Sequence, residues 1–416
     1  MTFDLIIREA RIYGGGEDTS PLDIGITGDR ITAIEPALAG SGTDAGAEVI
    51  DAGGRLTTPG LIESHIHLDK SRILDRCSAS EREGRDHMQR VSAVKQSFTV
   101  EDVHARAKTT LEQCLTHGTM HMRTHVELDP NVGLRGFEAI KGLASDYRWA
   151  IDLDICVFAQ EGWSAVPEVD ANIVAALENG ATVIGGAPGY DVDSAWQIDR
   201  IFELAREYDV DVDIHLDSGL ATDAMDIHQV LDLTEKFGWG GRVAVGHGTK
   251  YSSLRPGDLA ALGRRMADVG VALTVLPATD LFLMGREHDH AVPRGVTDAC
   301  AMIGHGANCC LSSNNILNPF TPLGDGSLMR MANLHANVAQ RGTEADLIQC
   351  FEMLSSRPAA LLGREDYALR VGGKADLVIW DAETPAEAVA TVAPALFGVK
   401  RGRRSFTREI PVLHRP

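Results

Sequence analysis

Eight short apolar runs end near His67, His125, Val157, Gly186, His215, His247, Pro277 and Ser313, with longer stretches of helical texture between them. From His125 onward the steps are 32, 29, 29, 32, 30 and 36 residues. Each step is about the length of one strand–helix unit. Eight such units in one rhythm predict a closed parallel (β/α)8 barrel of the TIM type. The first step, from His67 to His125, is 58 residues and must hold an insertion, placed here at 71–98.

Two segments carry this reading in detail. Ile198, Ile201, Phe202, Ala205 and Tyr208 recur at helical spacing, which predicts an amphipathic helix over 194–208 with Ser194 as its N-cap. The next run, Asp209 to Asp217, alternates. Val210, Val212, Ile214 and Leu216 take one face of a strand, and Asp211, Asp213, His215 and Asp217 take the other. In a barrel the second face points inward, with His215 and Asp217 at the C-terminal mouth.

Outside the barrel the texture is that of short strands. Asp4–Ile7, Arg11–Tyr13, Ile24–Ile26, Arg30–Ile34 and Glu48–Asp51 are punctuated by turns at Gly14-Gly15-Gly16, Gly28-Asp29 and Gly53-Gly54. Strand texture returns at Tyr367–Val371 and Ala375–Asp381. The two ends are expected to pair into one small β-sandwich domain, with 1–55 and 361–416 flanking a hydrolase barrel at 56–360.

Composition narrows the partners. A formal net charge of −20 repels nucleic acid and anionic membrane. No run of 18 apolar residues suggests a membrane span, and the first residues lack the pattern of a signal peptide, so a cytoplasmic location is expected. Seven cysteines, dispersed apart from Cys309-Cys310, form no disulfide framework and read as reduced thiols. The expected partners are a small-molecule substrate and further copies of the chain in a homo-oligomer.

The chemistry concentrates in Glu63-Ser64-His65-Ile66-His67-Leu68-Asp69, at the end of the first run. Residues i and i+2 of a strand share a face, so His65 and His67 can bind one metal ion as neutral imidazoles. His215 and His247 close two later runs, at the same end of the barrel. Alone, each would read as a structural histidine; with the first pair they predict a metal site.

These elements resemble the amidohydrolase superfamily, and within it the cytosine deaminase-like branch. The resemblance covers nearly the whole chain. It rests on the H-x-H-L-D element at His65–Asp69, on Arg123-Thr124-His125-Val126, on Phe158-Ala159-Gln160-Glu161-Gly162 and on Asn318-Pro319-Phe320-Thr321-Pro322-Leu323-Gly324. It implies His65, His67 and His215 as metal ligands, His247 as the histidine facing the attacked carbon or the water, and Gln160 as a substrate contact. The fourth run carries no lysine of the kind that bridges two metals in hydantoinase- and dihydroorotase-like members, which argues for one divalent ion, zinc or iron.

Two departures stand out. The family's eighth-strand aspartate, a metal ligand and proton acceptor, is Asn314 here, and its glutamate shuttle is Ser218. An amide oxygen ligates weakly and does not accept a proton near neutral pH. Loss of a positioned acid–base group typically costs about 10²- to 10⁴-fold in rate. Asp217, inward-facing beside His215, is the substitute base to consider, against a structural role paired with a residue such as Arg123. Lys70 can orient an anionic group or leaving nitrogen, or simply face solvent. His121, Arg123, His125 and Glu127 share a face and can form a supporting network. Asp280 precedes a loop, 281–290, that can cover substrate while its histidines face solvent.

The expected activity is hydrolysis of a non-peptide C–N bond in a small, flat, polar nitrogenous compound. His65, His67 and His215 hold the ion with Asn314 as a weak ligand, His247 or Asp217 handles protons, and Gln160 and Asn315 read the substrate's edge. The alternatives are a ring-opening cyclic amidase or lyase of the same superfamily, and a catalytically degenerate barrel that binds a ligand.

Overall fold

The barrel strands are covered on both faces, and where they alternate, as in Asp211–Leu216, the polar side chains turn toward the barrel interior. A computed structural model describes residues 2–14, 20–38, 46–79 and 86–414. Its parallel sheet takes Leu61–Ile66, Thr119–Glu127, Asp152–Phe158, Val183–Gly186, Asp211–Leu216, Val243–His247, Val271–Val275 and Cys309–Leu311 in chain order. The ring closes where Ile66 bridges Asn314 in parallel register. Asn314 N donates to His65 O at 3.0 Å and His67 N to Asn314 O at 2.8 Å. Beneath that seam Ser64 and Ser312 hydroxyls meet at 2.8 Å, and both Glu63 carboxylate oxygens accept from Ser313 N.

The helix over 194–208 forms as expected, Ser194–Tyr208, and buries Ile198, Ile201, Phe202 and Ala205. Its cap lies one residue earlier than the pattern predicts: Asp193 accepts from Trp196 N at 3.0 Å, and Ser194 is the first helical residue. The carboxylate reaches the third amide along, so the hydroxyl is not needed there. The insertion after the first strand carries a helix, His87–Lys95.

Strands from both ends of the chain share a second, mixed sheet. Its order is Arg403–Thr407, Ala395–Lys400, Leu377–Trp380, Leu56–Pro59, Leu5–Ile12, Leu22–Thr27 and Arg30–Glu35, with Glu48–Asp51 also pairing Leu5–Ile12. Leu5, Ile7, Ile24, Ile26, Leu377, Ile379 and Val399 form its own core. The chain is thus a TIM-type barrel flanked by a small sandwich built from its two ends. Tyr367–Val371 is not one of the strands. Its alternation is genuine, but the backbone of Ile31 bonds to the turn that follows it, through Gly372 N and Gly373 O, rather than to the segment itself. The turn at Gly14–Gly16 falls outside the described residues from Gly15 on. Buried Lys400 ties the small sheet to the barrel, 2.7 Å from Asp376 and 2.9 Å from Asp152 on the third barrel strand.

No helix among the described residues is long and apolar enough to cross a membrane.

Candidate metal centre and active site

Alternation at the end of the first strand buries Ile66 in the main apolar core and turns His65 and His67 toward the barrel axis, and the fifth strand aims His215 at them. His65 Nε2 lies 3.1 Å from His215 Nε2, and His67 Nε2 lies 2.9 Å from the same atom. Glycine makes room: a Cβ on Gly246 would lie 2.8 Å from the His65 ring. Phe158 stacks on the His215 ring at 4.8 Å between centroids.

Proton positions follow from the other side of each ring. His65 Nδ1 faces an Asp213 oxygen at 3.3 Å, and His215 Nδ1 faces the Gly186 carbonyl at 3.2 Å. Both partners only accept, so each Nδ1 carries the ring's proton and each Nε2 presents a bare lone pair. Two lone pairs 3.1 Å apart require something positive between them. Burial opposes a proton, lowering His65 to about 3 and holding His67 and His215 well below the ordinary imidazole range. A shared cation meets the requirement; nitrogens bound to one tetrahedral zinc lie roughly 3.3 Å apart. His67 Nδ1 and Asn314 Oδ1 are buried without a hydrogen-bond partner, and Asn314 takes the left-handed conformation at φ 60°.

One histidine lies closer to this centre than the sequence reading placed it. Ligand atoms of His65, His125 and His215 all fall within 4.8 Å of one another. The His125 ring lies against His65 at 3.8 Å between centroids. His125 Nε2 is 3.3 Å from Asp213, without hydrogen-bond geometry. Asp213 therefore stands between two imidazoles. Burial pushes its carboxyl up, yet the neighbouring His125 and His65 pull it well below the usual carboxylate range. Arg123 pairs with Asp211 at 3.1 Å and with Asp213 at 3.4 Å, not with Asp217.

The two candidate proton carriers have different surroundings. Asp217 accepts from Asp226 N at 2.9 Å, Ile227 N at 3.2 Å and Tyr251 Oη at 2.9 Å. Its carboxylate anchors the start of the helix Ile227–Phe237. His247 closes the sixth strand at φ 73°, its Nδ1 2.6 Å from the Asp280 carboxylate. The other Asp280 oxygen accepts from Leu276 N at 3.2 Å, and the side chain is buried.

A cavity of about 340 Å³ opens above the centre, lined by His67, Gln160, His215, His247, Asn314 and Asn315 among others. Lys70 is not a surface residue: it is 1% exposed, with Nζ 2.5 Å from Glu127 and 3.3 Å from the Gln160 oxygen. Glu127 in turn meets buried Lys95, which contacts Asp129 at 3.0 Å and Glu161 at 2.6 Å. Met284, Arg286 and Glu287 of the loop after Asp280 reach the cavity, while His288 and His290 are exposed. Ser218 lies at the rim, exposed.

A TIM-type barrel whose inward histidines converge at its C-terminal mouth, under a cavity lined by amides, defines a metal-dependent hydrolase of C–N bonds. The chain belongs to the amidohydrolase family, whose sequence profile matches residues 48–151 and 157–406. It is 28% identical over 422 residues to the N-isopropylammelide isopropyl amidohydrolase of Pseudomonas sp. (strain ADP), covering 99% of each chain. The 5-methylcytosine deaminase of Klebsiella pneumoniae liganded with 5-fluorocytosine superposes with a TM-score of 0.92 at 28% identity, over 99% of both chains. The N-isopropylammelide isopropylaminohydrolase of Burkholderia multivorans ATCC 17616 gives 0.83 at 28% identity, over 97% of this chain and 98% of that one.

Proposed function

We propose that this chain hydrolyses an exocyclic C–N bond of a small, flat nitrogen heterocycle, using one divalent ion, zinc or iron. His65, His67 and His215 would hold the ion, with Asn314 beside them and His125 packed behind His65. The observation that carries this is the pair of bare Nε2 atoms 3.1 Å apart, each fixed by an acceptor on its far side. The names of the similar proteins support the substrate class: one is an N-isopropylammelide isopropyl amidohydrolase, another a 5-methylcytosine deaminase.

When bound, such an ion lowers the pKa of water from 15.7 toward ~7 and polarises the carbon–heteroatom bond under attack. The chain's own residues do the rest. Asp280 holds the His247 Nδ1 proton, which leaves Nε2 bare on the cavity side. His247 is then placed to take a proton from the nucleophile and return it to the leaving nitrogen. Asp217 accepts hydrogen bonds from two backbone amides and a phenol, so proton transfer falls to His247 in this reading. Gln160 and Asn315 bind the ring's edge.

The test is elemental analysis of freshly purified protein, followed by a rate survey over cytosine, isocytosine, hydantoins, lactams and alkylamino-triazines. One ion per chain and release of ammonia or an amine from a ring carbon is the expected result. Absence of bound metal, with no rescue by zinc, iron or manganese, overturns the proposal.

A further inference from the structure

We infer that Lys70 fixes the polarity of the cavity so that it takes a ring edge made of hydrogen-bond acceptors and rejects one made of amino groups. This rests on the hydrolase reading above and adds the chemical class of the edge that is recognised. A glutamine or asparagine amide is ordinarily two-faced, because a flip exchanges its donor and acceptor ends. Here both flips are decided by the neighbours. The Lys70 ammonium only donates, so the oxygen of Gln160 must face it, at 3.3 Å. Glu127, at 2.5 Å from the same Nζ, and the Phe320 ring, 4.4 Å away, hold the ammonium in place.

The second amide, Asn315, is fixed through Asn318, whose own orientation two backbone N–H groups decide. Asn318 Oδ1 accepts from Phe320 N at 3.0 Å and Thr321 N at 3.1 Å. Its nitrogen therefore faces the other way, donating to Lys70 O at 3.3 Å and to Asn315 Oδ1 at 2.6 Å. That oxygen assignment leaves Asn315 only its NH₂ to offer. Gln160 Nε2 and Asn315 Nδ2 have no protein partner among the described residues, and both residues line the cavity.

Two fixed NH₂ groups match carbonyl oxygens or deprotonated ring nitrogens. An amino substituent set against either one would leave two donors facing each other, with both hydrogen bonds lost. A ring dione or its anion fits; a ring diamine does not.

Calorimetric titration of the zinc-loaded protein with 1,3,5-triazine-2,4-dione and with 1,3,5-triazine-2,4-diamine tests this, since the two share a ring and differ in edge polarity. The dione should bind about tenfold tighter or more. Gln160→Glu keeps an oxygen for Lys70 but presents another to the cavity, so it should weaken the dione and strengthen the diamine. Lys70→Met frees the Gln160 amide to turn and should shrink the preference to within about threefold. Equal or tighter binding of the diamine by the unaltered protein overturns the polarity inference and leaves the hydrolase reading standing. Binding of neither ring at millimolar concentration overturns both.

Discussion

Among the described residues several clusters bring three potential metal ligands within reach of one another, and two of them differ in where the protons lie. At the barrel mouth, His65 and His215 spend their Nδ1 protons on acceptors and aim bare nitrogens at a common point. Behind the eighth strand, Cys300, His335 and Cys350 are equally close and equally buried. There the His335 Nε2 lone pair already accepts from Ala299 N at 3.2 Å, so its proton sits on Nδ1, 4.0 Å from the Cys350 sulfur. The Cys350 thiol is pushed up by its contact with Cys300 and by burial, away from the thiolate a metal needs. Proximity and burial are common to both clusters. The first aims unspent lone pairs at a common point beside the cavity.

The contrast breaks most visibly at His215. Replacing it with Ala should abolish stoichiometric metal binding and lower turnover by about 10⁴-fold. An ion retained at one per chain, measured by elemental analysis, would place the metal elsewhere. Next in size is Asp280→Asn, which removes the acceptor that sets the His247 tautomer. A fall in kcat of about 10²- to 10⁴-fold with KM within about threefold is expected. Nitrogen-15 NMR of the histidine rings should show the proton of His247 redistributed between its two nitrogens, which a purely structural role for Asp280 would not produce.

A smaller effect belongs to the second cluster. Burial holds His335 neutral, with its pKa lowered to about 4 from the ordinary 6.5. Between those values the unfolded chain binds more protons than the native one, so stability falls as pH drops through that window and levels off below it. The full shift corresponds to about 3 kcal/mol. The urea midpoint should fall more steeply between pH 7 and 4.5 in the unaltered protein than in His335→Asn. Smallest of all, Cys300→Ser and Cys350→Ser should leave metal content at one ion and turnover within about twofold. A drop from two ions to one in either variant would make the second cluster a metal site after all.

Much of the fold was legible because periodicity reports which face of an element is covered. The alternation from Asp209 to Asp217 oriented His215 inward, and the thirty-residue rhythm closed the barrel. The convergence of His65 and His67 was legible for the same reason: residues i and i+2 of a strand share a face. What stayed hidden was the spending of polar groups by partners far away in the chain. Asp217 faces the right way, yet the amides of residues 226 and 227 and the Tyr251 hydroxyl take its oxygens. Asp280 shows no signal in its own segment; its role comes from His247, which lies on a neighbouring strand. Lys70 follows the H-x-H element by three residues, and nothing local says that Glu127 will bury it. Tyr367–Val371 shows the converse error, since its alternation carries no information about whether a partner strand is available.

The seam at Asn314 has a bearing on how the enzyme comes into being. The residue that joins the last barrel strand to the first also lines the cavity with His67 and His215, and the hydroxyls knotted just below it are 248 positions apart. Joining points so distant is among the slowest acts in folding. A nascent chain released before the eighth strand emerges would own every imidazole of the centre and still lack the closed rim that aligns them. Capture of the cation and completion of the ring should therefore coincide, making metal uptake a late checkpoint on correct assembly.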